Sequence, residues 1–366
     1  MSTYIEALQA LDDYRLALFS EQQNEDAIST YGTFGTFGAQ GASSAFATAL
    51  SNVHATGVGV RVRGGKIIPH EYAIKVFVYE KLNLGLKTPK ITGQPFQGVE
   101  IDVQHLPIQQ ALSKKTPSAT TTSRKRATNR SKSSNTSLPP AQYQVRRRPI
   151  VGGLQISPLG SPFVGTLGCL VRRGTQLFAL SNNHVLVNTN QLPLGTHIGQ
   201  PVALDAADRF AKLSDFEPIL FPSPGKFPRN RIDAAIAAIS DDTLVKTGAM
   251  VGIPNYSPIA RAPLPGMRVT KSGRTSAVTT GVIVATRVNG VQVNFGTPMS
   301  PIIATFDNCV EVQSKSGAFS KQGDSGSAVL DESTGELVSL LFAGDGFTTT
   351  CCDFGDVLSR FSVVPA

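Results

Sequence analysis

The chain has 366 residues, of which 41% are hydrophobic and 16% are charged, and its formal net charge is +8. This length is enough for about two or three packing units with a substantial buried core. No stretch approaches the roughly eighteen apolar residues that span a membrane, and the first residues lack the basic patch and apolar run of a secretory signal. We therefore expect a cytoplasmic protein that does not bind a membrane.

Cysteine and histidine spacing argues against a metal site and against a disulfide framework. The four cysteines are unevenly placed and lack the paired spacing of zinc ligands. Three of the five histidines lie in the first third of the chain, and none has metal-ligand spacing to another histidine or a cysteine. We expect free thiols in a reducing compartment. The residues concerned are Cys169, Cys309, Cys351, Cys352, His54, His70 and His105.

The positive charge is concentrated in residues 113–149, which contain ten basic and no acidic residues. The rest of the chain has 24 basic and 26 acidic residues, so it is close to neutral. Because this segment is polar and Tyr143 is its only aromatic residue, it is predicted to be a disordered linker. This composition does not predict a nucleic-acid partner. The segment fits a target for proteolytic nicking as well as it fits a solvated tether.

Residues 1–112 are predicted to form a helix followed by a small α/β domain. Apolar residues at helical spacing predict an amphipathic helix from Thr3 to Gln22. From Thr56 the apolar period changes to two, which predicts strands separated by turns such as Gly64-Gly65. The apolar residues of the helix are Ile5, Leu8, Leu11, Leu16 and Leu18; the strand residues include Val58, Val60, Val62, Ala73–Tyr79 and Val99–Val103.

Residues 150–366 contain many short apolar segments punctuated by glycine and proline, a pattern typical of antiparallel β-barrels or sandwiches. One predicted hairpin begins at Gly165, and its second arm leads directly into Ser181-Asn182-Asn183-His184. Further on, Asp233 opens an apolar strand that would bury its carboxylate, unlike the other nearby acids. Those acids are Asp205, Asp208, Asp215, Asp241 and Asp242.

The segment Gln322-Gly-Asp-Ser-Gly-Ser327 places Ser325 between two glycines and behind an acidic residue. A glycine before the serine lets the N–H groups of Gly323 and Ser325 point at one spot, and Gly326 leaves room for a substrate carbonyl. Alone, such a sequence is also an ordinary turn. Its interpretation therefore depends on a base and a carboxylate elsewhere in the chain.

The order His184, Asp233, Ser325, with separations of 49 and 92 residues, resembles that of the chymotrypsin-fold (trypsin-like) serine proteases. Ser181-Asn-Asn-His184 stands where that family usually has Thr-Ala-Ala-His. The resemblance extends from about Gly152 to the end of the chain. The arrangement with an N-terminal unit is similar to uncharacterised bacterial trypsin-like proteins and to plant narrow-leaf-type serine proteases. It implies a mainly β, two-barrel chymotrypsin-like domain over residues 150–366.

The resemblance also implies a mechanism. Ser325 is the expected nucleophile, His184 the general base and Asp233 the residue that orients the imidazole. The N–H groups of Gly323 and Ser325 form the expected oxyanion hole. The predicted function is an intracellular serine endopeptidase that acts on proteins or peptides and needs no metal or organic cofactor.

Two departures limit what the resemblance implies. Ser327 replaces a second glycine, and Phe319 stands at the floor of the primary specificity pocket, where an aspartate would select Arg or Lys. The segment Leu340–Gly344 resembles the strand that pairs with the substrate backbone. Phe342, Ala343 and Gly344 are therefore candidate substrate-binding residues, and Asp345 could add an acidic wall.

The sequence Ile150-Val-Gly-Gly153 resembles the activation sequence of chymotrypsin-like zymogens. In that reading an upstream activating protease exposes Ile150, whose new ammonium pairs with Asp324. The alternative is a strand-initiating Gly-Gly turn, and Pro149 makes the preceding bond a poor substrate for most proteases.

Two other classes of function stay open. One is a catalytically idle trypsin-like fold that acts as a peptide-binding or interaction module. The other is a nucleic-acid-associated protein that works through the basic segment.

Overall fold

The computed structural model describes residues 2–28, 52–63, 66–79, 95–111, 114–115, 140–314 and 316–366. The predicted turn at Gly64-Gly65 and most of the predicted linker, residues 116–139, lie outside these ranges. The α-helices are α1 (Tyr4–Ile28), α2 (Asn183–Leu186) and α3 (Phe354–Phe361). Short 3₁₀-helices span Pro140–Tyr143, Ala206–Asp208 and Asp242–Leu244.

The described residues are mainly β, as the sequence predicts. The strands before residue 116 are β1 (Val53–Arg63), β2 (Lys66–Val78), β3 (Glu100–His105), β4 (Gln109–Ala111) and β5 (Lys114–Lys115). The next strands are β6 (Ile150–Gly152), β7 (Gln155–Pro158), β8 (Phe163–Thr166), β9 (Cys169–Arg173), β10 (Gln176–Ser181), β11 (His197–Gly199), β12 (Arg209–Phe216), β13 (Arg229–Asn230) and β14 (Ala235–Ile239). The last are β15 (Val245–Met250), β16 (Arg268–Gly273), β17 (Ala277–Asn289), β18 (Val291–Asn294), β19 (Ile303–Phe306), β20 (Cys309–Gln313), β21 (Ala328–Asp331), β22 (Leu337–Gly344), β23 (Thr348–Asp353) and β24 (Val364–Pro365).

A closed six-stranded barrel forms the C-terminal half of the fold. Its strands pair in the cycle β16, β17, β20, β23, β22, β21 and back to β16, with every pair antiparallel. Alternation along the strands points β-branched and other apolar side chains inward, which is why these segments form a closed sheet around a core. That core contains Val269, Ile283, Val310, Val312, Phe319, Val329, Val338, Leu341 and Cys351.

The second large sheet has nine strands in the order β24, β9, β10, β14, β12, β11, β7, β8, β5. Strands β9 and β10 form the predicted hairpin, and β10 pairs with β14 on its other side. Between its end strands, β24 and β5, no pairing closes this sheet within the described part of the chain. The expected pair of barrels is thus one closed barrel and one sheet of nine strands.

The expected separate N-terminal α/β domain is not confirmed, because its strands continue the sheet of the barrel. Strand β1 pairs with β17, and β2 and β3 follow β1 outward. Helix α1 packs on this extension. Two of its buried residues are alanines, whose small side chains let the helix approach the strands closely. The predicted apolar face was wrong at Ile5 and Leu16, which are 67% and 69% exposed. The buried helix residues are Ala7, Ala10, Leu11 and Tyr14.

Both ends of the predicted linker differ from a disordered segment. At one end, β5 pairs with β8. At the other, Tyr143 is 1% exposed in the core under the nine-stranded sheet. The Arg146 side chain lies 2.8 Å from Asp208, and Arg148 donates to the Gln200 side chain at 2.8 Å. A buried aromatic and these polar contacts offset the entropy of ordering residues 140–149.

No helix in the described ranges is both long enough and apolar enough to cross a membrane.

Candidate active site

Two neighbouring strands of the nine-stranded sheet bring His184 and Asp233 together. Strand β10 ends at Ser181, which is paired with Ala235 of β14, so the residues after β10 lie beside those before β14. The Asn182 side chain donates to the Asp233 carbonyl at 2.7 Å. His184 follows in the first turn of α2, at a position set by these strand ends.

The imidazole of His184 is held by Asp233 through two contacts. The Nδ1 atom hydrogen-bonds to Asp233 Oδ2, and the backbone N–H of His184 donates to Oδ1 at 3.2 Å. Asp233 is fully buried and His184 is 3% exposed. A carboxylate at Nδ1 fixes the tautomer in which Nδ1 carries the proton and Nε2 carries the lone pair.

The Nε2 atom of His184 is buried and has no hydrogen-bond partner among the described residues. A buried polar atom without a partner is costly, so its retention points to a partner that arrives with a substrate. The Phe295 ring packs against the imidazole in a T-shaped arrangement, with 5.9 Å between the two ring centroids. The geometry is that of a general base with its lone pair available.

Ser325 lies in the turn before β21, between two glycines with left-handed backbone. The φ angles of Gly323 and Gly326 are +100° and +90°, which glycine adopts without the strain of a side chain. The Ser325 hydroxyl donates to the Phe342 carbonyl at 3.2 Å. Within the described residues no hydrogen bond joins it to His184, so the expected contact between nucleophile and base is not made. Rotation about the Cα–Cβ bond moves a serine hydroxyl between staggered positions.

The N–H groups of Gly323 and Ser325 make no hydrogen bond within the part of the chain that the structure describes. Their neighbours do: Asp324 N–H donates to Lys321 O at 2.9 Å, and Gly326 N–H donates to Leu341 O at 2.9 Å. Two unused donors on alternate residues of one tight turn suit a developing negative charge.

The nucleophile turn is attached to the nine-stranded sheet by Thr166 of β8. Its N–H donates to Ser325 O at 2.8 Å, and its hydroxyl donates to Gly323 O at 2.9 Å. A Cβ at Gly168 would lie 2.4 Å from the carbonyl oxygen of Gly326, so no larger residue fits there. Sequence analysis missed Thr166, since a threonine at a strand end carries no signal of its own.

Asp324 is fully buried and already has five donors. They are the N–H groups of Thr275, Ser276 and Lys321 at 2.8, 3.1 and 2.9 Å, the Ser276 hydroxyl, and Lys271 Nζ at 3.4 Å. Ile150 lies instead in β6, paired with β15, and no hydrogen bond of the described residues joins it to Asp324. The pairing of Asp324 with a new N-terminus is expected only after cleavage, so it stays a prediction. In the uncleaved chain Lys271 supplies a positive charge beside Asp324.

Lys271 is a second residue that sequence analysis missed. It is fully buried, and burial lowers the pKa of its ammonium while the charge of Asp324 opposes that shift. A signal was present, because β-alternation puts Lys271 on the same inward face as Val269. A lysine at an inward strand position needs a buried anion as its partner.

The predicted specificity residues are distributed between the barrel core and one strand edge. Phe319 is 1% exposed within the barrel core, and Lys271 Nζ lies 5.9 Å from its ring centroid. The Phe342 carbonyl accepts from Ser325, whereas the edge formed by Ala343 and Gly344 is paired with β4. Asp345 accepts from the Gln109 side chain at 3.2 Å.

Three cysteines lie in barrel strands, Cys309 in β20 and Cys351 and Cys352 in β23, and all four cysteines are unpaired thiols. Cys352 Sγ accepts the N–H of Asp233 at 3.2 Å. Burial raises the pKa of Cys352 well above its usual range, so this thiol stays protonated. In the described ranges no cluster of three or more His, Cys, Asp or Glu residues could hold a metal ion.

No family model matches the chain, and no curated protein matches its sequence. Solved structures with a similar fold include Thermobifida fusca Protease A, at 17% identity and a TM-score of 0.41 over 59% of this chain and 98% of that one. A glutamic acid specific serine protease is 20% identical, with a TM-score of 0.41 over 59% of this chain and 100% of that one. Cellulomonas bogoriensis chymotrypsin is 17% identical, with a TM-score of 0.40 over 59% of this chain and 97% of that one. Values at this level assign neither an activity nor a substrate to this chain.

Proposed function

We propose that the chain is an intracellular serine endopeptidase that cleaves protein or peptide substrates through Ser325, His184 and Asp233. The observation that carries the proposal is the buried, unpartnered Nε2 of His184, oriented by Asp233 at Nδ1. A histidine held in this tautomer, close to a turn with two unused N–H donors, has the parts needed for acyl transfer.

In the proposed reaction His184 Nε2 removes the hydroxyl proton of Ser325 as Oγ bonds to the scissile carbonyl carbon. The negative charge on the carbonyl oxygen is stabilised by the N–H groups of Gly323 and Ser325. The imidazolium then protonates the leaving amine, which leaves an acyl group on Ser325. Water attacks this ester with His184 as base again, and the acid product leaves.

Asp233 acts through His184, since its carboxylate stabilises the imidazolium in a place that water does not reach. Asp324 and Lys271 act one step further away. Their buried contact holds Asp324 in place between Gly323 and Ser325, the two residues whose N–H groups are the proposed donors.

A fluorophosphonate probe tests the proposal, because it forms a covalent bond only with an activated serine. We expect stoichiometric labelling of the wild type and none of Ser325→Ala. Ser359→Ala, which changes an exposed serine of α3, is the matched control and is expected to label like the wild type. A wild type that never labels, whether cleaved or uncleaved, contradicts the proposal.

A catalytically idle peptide-binding module is the second candidate, and it differs from the first in what Ser325 does when a peptide is bound. The Ser325 hydroxyl donates to Phe342 O rather than to His184. If this arrangement persists with a peptide bound, the protein binds peptides without labelling. Binding of a peptide library with no covalent adduct supports this second function.

Activation before Ile150 by an upstream protease is kept as a separate proposal. It requires Ile150 as the N-terminus of the active form, although Asp324 is already paired with Lys271. Full labelling of a chain that is intact at Pro149–Ile150 contradicts it.

A further inference from the structure

Strand β4 occupies the edge of β22 that begins next to a contact of Ser325. The Ser325 hydroxyl donates to the Phe342 carbonyl at 3.2 Å. Residues 343–344 follow directly in β22, and they pair in antiparallel register with residues 110–111 of β4. The chain's own backbone therefore fills a strand edge that starts one residue from the carbonyl to which the proposed nucleophile is bonded.

Strand β4 has a partner strand on each side. Its second edge pairs in parallel with β18, with Gln109 opposite Val293 and Gln110 opposite Asn294. Among the described strands, β4 alone lies between β18 and β22 in the order of the sheet. Two strand spacings make a slot of about 10 Å between these two walls. Such a slot fits one extended peptide, which can hydrogen-bond to both walls through its main chain.

The contacts that hold β4 in this slot are mostly polar. Its sequence is Gln109–Ala111, so its one apolar side chain is a methyl group. The Gln109 side chain donates to Asp345 at 3.2 Å. The Gln110 side chain donates to Asn294 O at 2.9 Å. Strands that belong permanently to a core ordinarily bury larger apolar side chains, whose removal from water stabilises them.

One buried atom of β4 has no hydrogen-bond partner. Gln109 is 0% exposed, and its Oε1 accepts from none of the residues that the structure describes. A buried carbonyl oxygen without a donor costs free energy, because it has lost its hydrogen bonds to water. The slot therefore satisfies β4 incompletely, which leaves room for another peptide to compete.

The chain just before β4 is held independently of the slot. Leu106 is 1% exposed, and its N–H donates to Val78 O at 3.0 Å. The Leu106 carbonyl also hydrogen-bonds to His54 Nε2 at 2.8 Å. Between this anchor and β4, Ile108 is 44% exposed. Release of β4 therefore breaks the pairing of three residues and does not require the preceding strands to move.

From these contacts we propose that β4 is a resident strand that competes with peptide substrates of Ser325. An extended, unfolded peptide takes the place of β4 in the slot between β18 and β22, and peptide cleavage is slow while β4 stays there. This inference rests on the endopeptidase function proposed above. A segment of the same chain has a high effective concentration at the slot, so β4 yields chiefly to peptides that pair well with both walls.

The test compares two activities of the full chain. The first is turnover of p-nitrophenyl acetate, a small ester that has no backbone to pair with a strand. The second is cleavage of a proteome-derived library of unfolded peptides, measured by mass spectrometry. The ratio of the peptide rate to the ester rate does not depend on the fraction of protein that is folded, so variants can be compared directly.

Weakening β4 is expected to raise this ratio. Gln109→Ala together with Gln110→Ala removes the side-chain hydrogen bonds of the strand. We expect the ratio of peptide to ester rate to rise about tenfold, because β4 then leaves the slot more readily. Gln97→Ala is the matched control, since it removes the hydrogen bond of an exposed glutamine to Asp13 and should leave the ratio unchanged.

Locking β4 is expected to have the opposite effect. Gln110→Cys with Asn294→Cys places two thiols at positions that face each other across β4 and β18. Oxidised glutathione closes the disulfide, and intact-mass measurement confirms it. We expect the peptide rate to fall at least about tenfold on oxidation and to return on reduction, with the ester rate equal in both states.

Failure of this inference is distinguishable from failure of the proposed function. Ester turnover with equal peptide rates in the wild-type, weakened and locked proteins overturns the competition and leaves Ser325 as the proposed nucleophile. An equal gain on ester and peptide in the weakened variant also overturns it, because β4 would then act on Ser325 rather than on the slot. Absence of both activities from every protein overturns the inference and the proposed function together.

Discussion

The two sheets contribute unequal halves of the candidate site. The nine-stranded sheet presents His184 and Asp233 already bonded to each other and buried. The barrel presents Ser325 with its hydroxyl bonded elsewhere and with two N–H donors unused. The first half has one polar atom without a partner, His184 Nε2, whereas the second has two unused N–H donors and a hydroxyl that is bonded away from the base. Under the proposed function, this difference means that the fold preorganises the base, whereas a bound peptide would complete the nucleophile turn.

The largest expected effect comes from damage to the half that contains His184 and Asp233. Asn in place of Asp233 favours the other imidazole tautomer, so Nε2 would carry the proton and could not act as base. We expect Asp233→Asn to lower the rate of acylation about 10⁴-fold, measured by fluorophosphonate labelling. Asp242→Asn, at an exposed position, is the matched control. If the rate of acylation falls by less than about tenfold, Asp233 does not orient the imidazole of His184.

On the barrel side, the largest expected effect follows from removing the buried cation. Lys271→Met leaves the buried Asp324 carboxylate without its counter-charge. We expect a loss of about 3 to 5 kcal/mol in the free energy of unfolding, measured by chemical denaturation. Labelling of Ser325 should fall as well. Lys321→Met, which changes an exposed side chain of the same loop, should alter neither quantity. An unchanged Lys271→Met would show that Asp324 does not depend on this ammonium.

A change of pH probes the same pair with the native residues in place. Burial lowers the pKa of Lys271, so its charge is lost at a lower pH than that of an ordinary lysine. We expect labelling of Ser325 to fall as the pH rises through this lowered pKa, because Asp324 then loses its counter-charge. Lys271→Arg keeps the charge and should move this fall to higher pH. An identical alkaline limit in both proteins contradicts the assignment.

The smallest expected effect concerns Glu311 in β20, outside the site. Burial raises the pKa of this carboxyl well above its usual range, and the Thr350 hydroxyl contacts both of its oxygens at 3.1 and 3.0 Å. The folded chain holds this proton more tightly than the unfolded chain. Its stabilisation is therefore complete below the ordinary glutamate pKa and is lost as the pH rises towards the raised value.

Glu311→Gln removes this titration and keeps an oxygen for Thr350. We expect the free energy of unfolding of the variant at neutral pH to exceed that of the wild type by on the order of 1 kcal/mol. We also expect this free energy to depend less on pH in the variant. The control Glu332→Gln alters an exposed pair with Arg268 and should change stability by less than about 1 kcal/mol. A destabilised Glu311→Gln would mean that the carboxyl is ionised in the fold.

The sequence predicts those residues of the candidate site that have a recognisable pattern in the neighbouring residues. His184 follows a hairpin, Asp233 opens an apolar strand and Ser325 lies between glycines, so each has a signal within a few residues. Lys271 and Asp324 are 53 residues apart, and only the strand register of the barrel brings them together. The predicted buried face of the helix was wrong for a similar reason. The contact with β1 and β2 buries Ala7 and Ala10 instead of the larger Ile5.

The pairing of β4 with β22 could not be predicted from the sequence either. Gln109–Ala111 has no distinctive pattern, and its partner strand lies more than 200 residues later. Likewise, β1 has the alternation of any strand, and nothing local indicates that it continues the barrel sheet. Long-range register is set by packing rather than by local propensity.

The most direct measurement of the central claim is the reaction of the full chain with an excess of a chromogenic ester. The account predicts a burst of about one chromophore per protein molecule, followed by slower turnover. It also predicts an acyl mass on the peptide that contains Ser325, and neither signal in His184→Ala. A wild type that shows no burst and no acyl group on Ser325 would contradict the account.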